Sequence, residues 1–459
     1  MKQSPFTSLP LSPAQIANLS SLDYEWMTPI QAAALPGALA GQDLIGQAKT
    51  GSGKTAVFAL AMLAKLDVSS RATQAVVLCP TRELSLQVSA EIRRLARHQQ
   101  NTTLATLYGG QAFDLQKKSM QTGAHIIVGT PGRIKDHLEK GTVTLKEVRT
   151  VVLDEADRML DMGFHEDIDA ILRRIPRKRQ TLLFSATFPE NIQELSSRYQ
   201  RDPQRVTVAE EHHAKTIKQS FFRCEIEDRL EGLKRLLLAY EPASTVVFCN
   251  YKKTTVEVCA FLKRNGFSAL ALNGDLEQRE REEVLIQFKQ RSCLILVATD
   301  VAARGLDIKD LKAVINYELS PDPEVHVHRI GRTGRAGGSG IALSLSGERD
   351  GPKLAKIAEY QGVRFQAKGL PTFVGGGEKP RPPFVTLAIL GGRKAKVRPG
   401  EILGTLTGEG GVEGRHVGKI DVMDFVSYVA VARDVVKQAE KKLRTSKIKG
   451  RTFRIHRLG

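Results

Sequence analysis

An octet of small and basic residues, Ala48-Lys49-Thr50-Gly51-Ser52-Gly53-Lys54-Thr55, follows the short run Asp43–Gly46 and opens an alanine-rich helix. A glycine-rich turn at a helix N-terminus presents backbone N–H groups to phosphate. There Lys54 would reach terminal phosphates as a point charge, and the Thr55 hydroxyl would ligate Mg2+. Ala48 replaces the first glycine of the general phosphate-loop pattern, so the strand–loop–helix context carries much of the reading. A second group, Asp154-Glu155-Ala156-Asp157, directly follows Val151-Val152-Leu153. An apolar strand that ends in acids sets carboxylates at the carboxyl edge of an open sheet, where ligands bind. Asp154 would hold Mg2+, directly or through water, and Glu155 would position or deprotonate an attacking water. A third group, His328 to Arg335, spaces Arg329, Arg332 and Arg335 three apart on one expected helical face. Projecting into a cleft, such arginines would stabilise charge on a transferring phosphoryl group, an effect worth about 1,000- to 100,000-fold in rate in other enzymes.

Elements of a particular kind must hold these groups. Ala75–Cys79, His125–Val128, Thr150–Leu153 and Gln180–Phe184 are short, nearly unbroken apolar runs, as expected of strands covered on both faces. Helical patterns such as Leu84–Gln99 lie between them, giving the alternation of a parallel sheet. The alternation restarts with Val246–Cys249, Ser268–Leu272, Leu294–Ala298, Ala313–Tyr317 and Gly340–Leu345. Between the two sets, Arg201–Lys218 is polar and strand-poor, which places the first boundary there and divides the α/β part into 1–208 and 213–365. The phosphate loop and acids then lie in one domain and the arginines in the other. Neither is complete alone, and hydrolysis should need the two to close on each other.

A glycine- and proline-rich linker, 366–382, leads to a third unit at 383–459. Its expected order is strand Val385–Leu390, helix Pro399–Thr407, strands Val417–Val422 and Ser427–Ala432, helix Asp434–Leu443 and strand Thr452–Arg457. This βαββαβ order is that of a small α+β ferredoxin-like, RRM-type domain. From Arg381 to Gly459 there are 17 basic and 7 acidic residues, so this tail carries much of the net charge of +18 on the 459-residue chain. A basic surface of that size attracts polyanions, nucleic acid first among them. No stretch approaches the roughly 20 apolar residues of a membrane span. The five cysteines, Cys79, Cys224, Cys249, Cys259 and Cys293, lack zinc-ligand spacing and read as buried free thiols of a soluble, cytoplasmic protein.

Together the motifs resemble the DEAD-box RNA helicases over about residues 4 to 365. Thr28-Pro29-Ile30-Gln31 is similar to that family's Q motif, with Phe6 at the place of its upstream aromatic. Pro80–Leu84, Gly109-Gly110 and Thr130–Arg133 are similar to its first-domain RNA motifs, and Ser185-Ala186-Thr187 to its coupling motif. Val247–Asn250, Gln278–Arg281, Ala298–Asp300 and Ala303–Asp307 are similar to motifs of its second domain. The resemblance implies two tandem RecA-like domains and an RNA-dependent ATPase using ATP and Mg2+. It implies that Gln31 reads the adenine edge and Tyr24 packs on its ring. Residues 48–55 would hold the phosphates and Mg2+, and Arg332 and Arg335 would be arginine fingers. Gly305 and Asp307 would meet the nucleotide from the second domain. Thr81, Arg82, Gly110, Thr130, Arg133 and Thr299 would meet RNA. One departure is Asp23, where the family commonly has glycine.

The basic tail narrows the resemblance to the bacterial DbpA group. That group implies a monomer whose tail recognises a hairpin of 23S ribosomal RNA during large-subunit assembly. The expected contacts are Lys394, Lys396, Lys447, Lys449 and Arg451 to phosphates, together with Arg393. Tyr428 is the only aromatic on the stacking face of Val426–Val431. A generic RNA chaperone, a non-catalytic RNA clamp and a DNA helicase are the competing readings. The intact Lys54, Glu155, Arg332 and Arg335 argue against the clamp.

Overall fold

Short runs rich in Val, Ile and Leu become strands because both of their faces are covered. The computed structural model describes residues 4–48, 52–208, 217–303, 311–334, 340–372 and 379–458. Packing divides the chain into two compact units, the second beginning after residue 211. The first unit's strands are β1 (Leu44–Gln47), β2 (Ala75–Leu78), β3 (Leu104–Leu107), β4 (Ile126–Gly129), β5 (Thr150–Leu153), β6 (Gln180–Ser185) and β7 (Gln204–Thr207). They pair in the order β3-β4-β2-β5-β6-β1-β7, all parallel. One apolar cluster, including Phe58, Val77 and Phe184, fills one face of this sheet, and another, including Val76, Leu153 and Ile168, fills the other. Because every strand runs the same way, the residues after β1, β2, β4, β5 and β6 emerge at one edge. That edge receives the phosphate loop, Thr81, Thr130, Asp154 and Ala186.

The second unit begins with another parallel sheet. Its strands are β8 (Lys218–Arg223), β9 (Thr245–Cys249), β10 (Ala269–Leu272), β11 (Ile295–Thr299), β12 (Ala313–Asn316), β13 (Ile341–Ser346) and β14 (Ala367–Lys368). Their order is β10-β11-β9-β12-β13-β8-β14. The strand-poor stretch 201–218 holds β7, and β14 lies near the start of the expected linker. Each is a sheet-edge strand, where one neighbour suffices and few apolar residues mark it. All five cysteines are buried free thiols.

The same unit ends in a ferredoxin-like domain. Its strands are β15 (Phe384–Ile389), β16 (Val417–Val422), β17 (Ser427–Ala432) and β18 (Ile455–Leu458), antiparallel in the order β16-β17-β15-β18. The helices Pro399–Thr407 and Val436–Thr445 cover its inner face over Leu387, Ile389, Val429 and Val431. The outer face is covered as well. Ile286, from the helix Gln278–Lys289 of the preceding sheet domain, packs on Ala388 and Tyr428. Gln290, just beyond that helix, donates to Asp421 Oδ2 at 3.0 Å and accepts from the Thr386 hydroxyl at 3.0 Å. Ser292 shares a 2.6 Å hydrogen bond with the same hydroxyl. Tyr428 is 2% exposed. Its phenol pKa is pushed up to about 12 by burial and by the Glu283 carboxylate beside it. Tyr428, expected to stack on RNA, is buried here, and its face of the sheet is an intramolecular interface.

Candidate nucleotide and RNA site

Lys54 opens the helix Lys54–Leu63 directly after Gly53, whose φ of 97° belongs to the left-handed region that glycine enters without strain. A Cβ on Gly53 would lie 2.5 Å from Gln31 Nε2 and would displace that amide from the loop. Gln31 and Thr28 hold this loop. Gln31 Nε2 donates to the Gly53 carbonyl at 3.1 Å, and the Thr28 hydroxyl donates to the Ser52 carbonyl at 2.8 Å. Gln31 Oε1 accepts from the Thr28 N–H at 2.8 Å, which fixes the side chain at the start of the helix Pro29–Ala40. Lys54 Nζ donates to the Ala48 carbonyl at 2.7 Å, so the ammonium bridges the loop's two ends. Lys49, Thr50 and Gly51 lie outside the described residues.

Tyr24 packs edge-on against Phe6 and donates to Glu91 at 2.7 Å. These rings border a small cavity of about 200 Å3 that Ile16 and Trp26 also line. Asp23, just before Tyr24, has φ 61°. The turn made by glycine in the family is therefore kept, by a residue whose short polar side chain tolerates that conformation.

Asp154 follows β5 and is buried, and its Oδ1 has no hydrogen-bond partner. Loss of water raises its carboxyl pKa to about 6, against the pull of the Lys54 ammonium and with the push of Glu155. A buried, unpartnered carboxylate oxygen beside a phosphate loop has the chemistry of a hard-cation ligand. Among the described residues no three His, Cys, Asp or Glu side chains cluster as metal ligands. Asp154 and the Thr55 hydroxyl are the residues that would hold Mg2+, which typically takes one or two protein ligands and keeps water and phosphate for the rest. Glu155 has φ 52°, a strained conformation for a residue with a Cβ, and it turns the chain from β5 into the helix Ala156–Asp161.

Sequence reasoning passed over Asp157. Its Oδ2 accepts from the N–H groups of Ala186 and Thr187 and from the Thr187 hydroxyl, each at 3.1 Å. Because β6 lies between β5 and β1, this corner touches both the acid strand and the nucleotide strand, and Ala48 N donates to the Ser185 carbonyl at 3.1 Å. The expected RNA residues share the same edge. Thr81 caps the helix Arg82–Leu95, Arg82 lies over the Tyr108 ring at 4.5 Å, and Arg133 donates to the Gln111 carbonyl at 3.0 Å. Thr130 precedes the helix Pro131–Glu139, and Gly110 takes φ 81° in an exposed turn.

In the second unit the arginine run behaves differently from its spacing. The helix Pro323–Ile330 stops before Arg332, so Arg332 does not share a helical face with Arg329. Arg329 is instead buried, 2% exposed, and forms the hub of that edge. It donates to both Asp300 oxygens at 2.7 and 2.6 Å, to Asn250 Oδ1 at 2.7 Å and to the Glu318 carbonyl at 2.6 Å. Arg332 follows in the turn, its N–H bonded to the Arg329 carbonyl at 3.1 Å. Thr299 ends β11 and is buried. Gly305, Asp307 and Arg335 lie outside the described residues. A signal for Arg329 was present in its apolar neighbours Val327 and Ile330, since an arginine on an apolar stripe demands buried partners.

Two parallel-sheet units that carry these motifs at their carboxyl edges, followed by a ferredoxin-like tail, define a nucleic-acid-dependent ATPase class, and comparison with known proteins agrees. The family pattern described as DEAD/DEAH box helicase matches residues 28–195, Helicase conserved C-terminal domain matches 228–337, and DbpA RNA binding domain matches 386–457. The chain belongs to the DEAD-box helicases, and within them to the DbpA type: it is an ATP-dependent RNA helicase. It is 51% identical over 448 residues, 98% of each chain, to the ATP-dependent RNA helicase DbpA of Escherichia coli. It is 43% identical to the DEAD-box ATP-dependent RNA helicase CshA of Bacillus cereus, over 80% of this chain and 70% of that one. Among solved structures it resembles S. cerevisiae Dbp5 bound to RNA and ADP BeF3, with TM-score 0.71 and 29% identity over 80% of this chain and 96% of that one. Among the described residues no helix is long and apolar enough to cross a membrane.

Proposed function

We propose that this helicase acts on 23S ribosomal RNA in assembly of the large ribosomal subunit, as a cytoplasmic monomer that requires Mg2+. The observation that carries the reading is the likeness to DbpA over 98% of both chains, tail included. In the DEAD-box core alone, relatives such as CshA are also similar, so the tail selects the reading.

In this reading the parts are residues 1–208 and 213–365 as helicase domains, 366–382 as linker and 383–459 as RNA-binding tail. Asp154 and Thr55 hold Mg2+, which supplies charge neutralisation on the phosphates when bound. Lys54 leaves the Ala48 carbonyl to meet a phosphate oxygen, exchanging a neutral acceptor for a charged one. Gln31 and Tyr24 hold the base. Glu155 orients the attacking water and takes its proton. Arg332 and Arg335, from the other helicase domain, stabilise the charge that develops on the transferred group. RNA that engages Thr81, Arg82, Gly110, Thr130 and Arg133 on one domain and Thr299 on the other favours the catalytic arrangement. A strand held bent in that arrangement cannot stay paired, so short duplexes open locally.

ATPase rates measured with 23S hairpin fragments and with random RNA of equal length test the target. Preference for the 23S fragment is expected; equal stimulation would sink the reading. Glu155→Gln should abolish turnover yet keep ATP-dependent RNA binding, and unchanged hydrolysis would refute the assigned role.

A further inference from the structure

The tail binds RNA, yet the outer face of its sheet is closed by Ile286, Gln290 and their neighbours. The topology gathers three connections at one end of the domain. β15 and β16 finish there, β17 and β18 start there, and the connections 390–398, 423–426 and 446–454 converge on it. Those three segments hold eight lysines and arginines and a single acid, Asp424. Among them stands one exposed aromatic ring, Phe425, 56% accessible.

The loop that carries Phe425 is held firmly. Met423 N donates to the Val426 carbonyl at 2.9 Å, closing the turn between β16 and β17. Arg393 N donates to the Met423 carbonyl at 2.8 Å, Lys394 N to the Asp424 carbonyl at 2.9 Å, and Arg393 Nε to the Val422 carbonyl at 3.0 Å. The two loops approach so closely that a Cβ on Gly392 would lie 2.3 Å from the Met423 carbonyl oxygen. Met423 and Val426 turn inward to the cluster of Ile286, Ala388 and Tyr428. Phe425, between them, does not join that cluster and stays in water. A rigid two-angle side chain held in water costs little further entropy when it binds.

We propose that Phe425 is a base-stacking residue, its ring receiving an unpaired base of the RNA whose phosphates the surrounding lysines and arginines hold. A lone ring in a basic rim suits a nucleobase, which offers a flat π face next to charge. A protein partner would call for a wider apolar patch. The proposal deepens the hairpin reading above and rests on it.

The test uses the full-length chain, a 23S hairpin fragment from the peptidyl-transferase region, and a blunt duplex of the same stem, with binding followed by fluorescence anisotropy. Phe425→Ala should weaken hairpin binding about tenfold. It should leave duplex binding and the slope of log K against log salt unchanged, because no phosphate contact is lost. Phe425→Trp should bind within about threefold of the parent, and equal melting temperatures establish that the fold survives. Unchanged hairpin affinity in Phe425→Ala, an equal loss on the duplex, or a reduced salt slope would overturn the stacking role while leaving the hairpin reading intact. A parent protein that binds hairpin and duplex equally would remove the hairpin reading and the stacking role with it.

Discussion

Asp157 and Thr187 are joined twice: Asp157 Oδ2 accepts from the Thr187 N–H and from its hydroxyl, each at 3.1 Å. The Ala186 N–H reaches the same oxygen. One carboxylate oxygen thus ties the helix after the acid strand to the corner after β6. Asp157→Ala strands these donors at a partly buried corner, where each unmade bond costs about 1 kcal/mol or somewhat more. Urea denaturation should show a loss of about 2–4 kcal/mol. Thr187→Val removes only the hydroxyl's bond and should cost about 1 kcal/mol. If the corner transmits the state of the nucleotide, duplexes opened per ATP should fall further than ATP turnover in both variants.

Arg329 permits a sharper expectation, because its partners come from three separate segments. Truncation to Met leaves the Asp300 carboxylate without its cation and Asn250 Oδ1 without its donor. Asp300 keeps some access to water, so the loss should lie below the roughly 3–5 kcal/mol of breaking a fully buried pair. Arg329→Lys keeps the charge but loses the fork that meets both Asp300 oxygens, and should recover only part of the loss. Thermal melts of the two variants should rank parent, Lys, Met. A Met variant that melts with the parent would show that the network holds nothing.

Asp154 sets a pH dependence of definite sign. Burial raises its pKa to about 6 in the folded chain, above the ordinary carboxylate value. Between those values the folded protein keeps a proton that the unfolded chain releases. Stability from this group is therefore full at low pH and is lost as pH rises through about 6. Without nucleotide, Asp154→Asn should be more stable than the parent at pH 8, by about 1–3 kcal/mol, and the gap should close toward pH 4. In the proposed mechanism catalysis runs the other way, since Asp154 must be ionised to hold Mg2+. In the parent, kcat/KM for ATP should fall as pH drops through about 6, and Asp154→Asn should be inactive at every pH.

Much of this architecture was legible because parallel strands buried on both faces are written as unbroken apolar runs. Thr150–Leu153 and the tail strands Val417–Val422 and Ser427–Ala432 have the expected bounds. The edge strands β7 and β14 were not legible, since an edge needs few apolar residues. Two kinds of site information were missing. The three-residue spacing of Arg329 and Arg332 says nothing about a helix that ends at Ile330. And Tyr428 alternates correctly for the outer face, but a sequence does not tell whether that face meets RNA or its own neighbour. The covering residues, Ile286 and Gln290, lie far away in the chain, so only the tertiary fold pairs them with Ala388 and Thr386.

That interface gives the last prediction. Tyr428 and Ala388 face Ile286, so Ile286→Glu sets a carboxylate into an apolar contact that already has Glu283 at its margin. A buried unpaired charge costs several kcal/mol, more than an interface of a few residues supplies. The tail should then detach while staying folded on its own core of Leu387, Val429, Ile402 and Leu443. Hydrogen exchange should show faster amides around Gln290 and Ser292 and unchanged protection at the inner-face positions. Tyr428→Phe keeps the apolar ring and loses only the hydroxyl beside Glu283, so hairpin affinity should stay at the parent value. A large loss of RNA affinity in Tyr428→Phe would mean that the sheet face opens to RNA after all, with the helix Gln278–Lys289 as a displaceable cover.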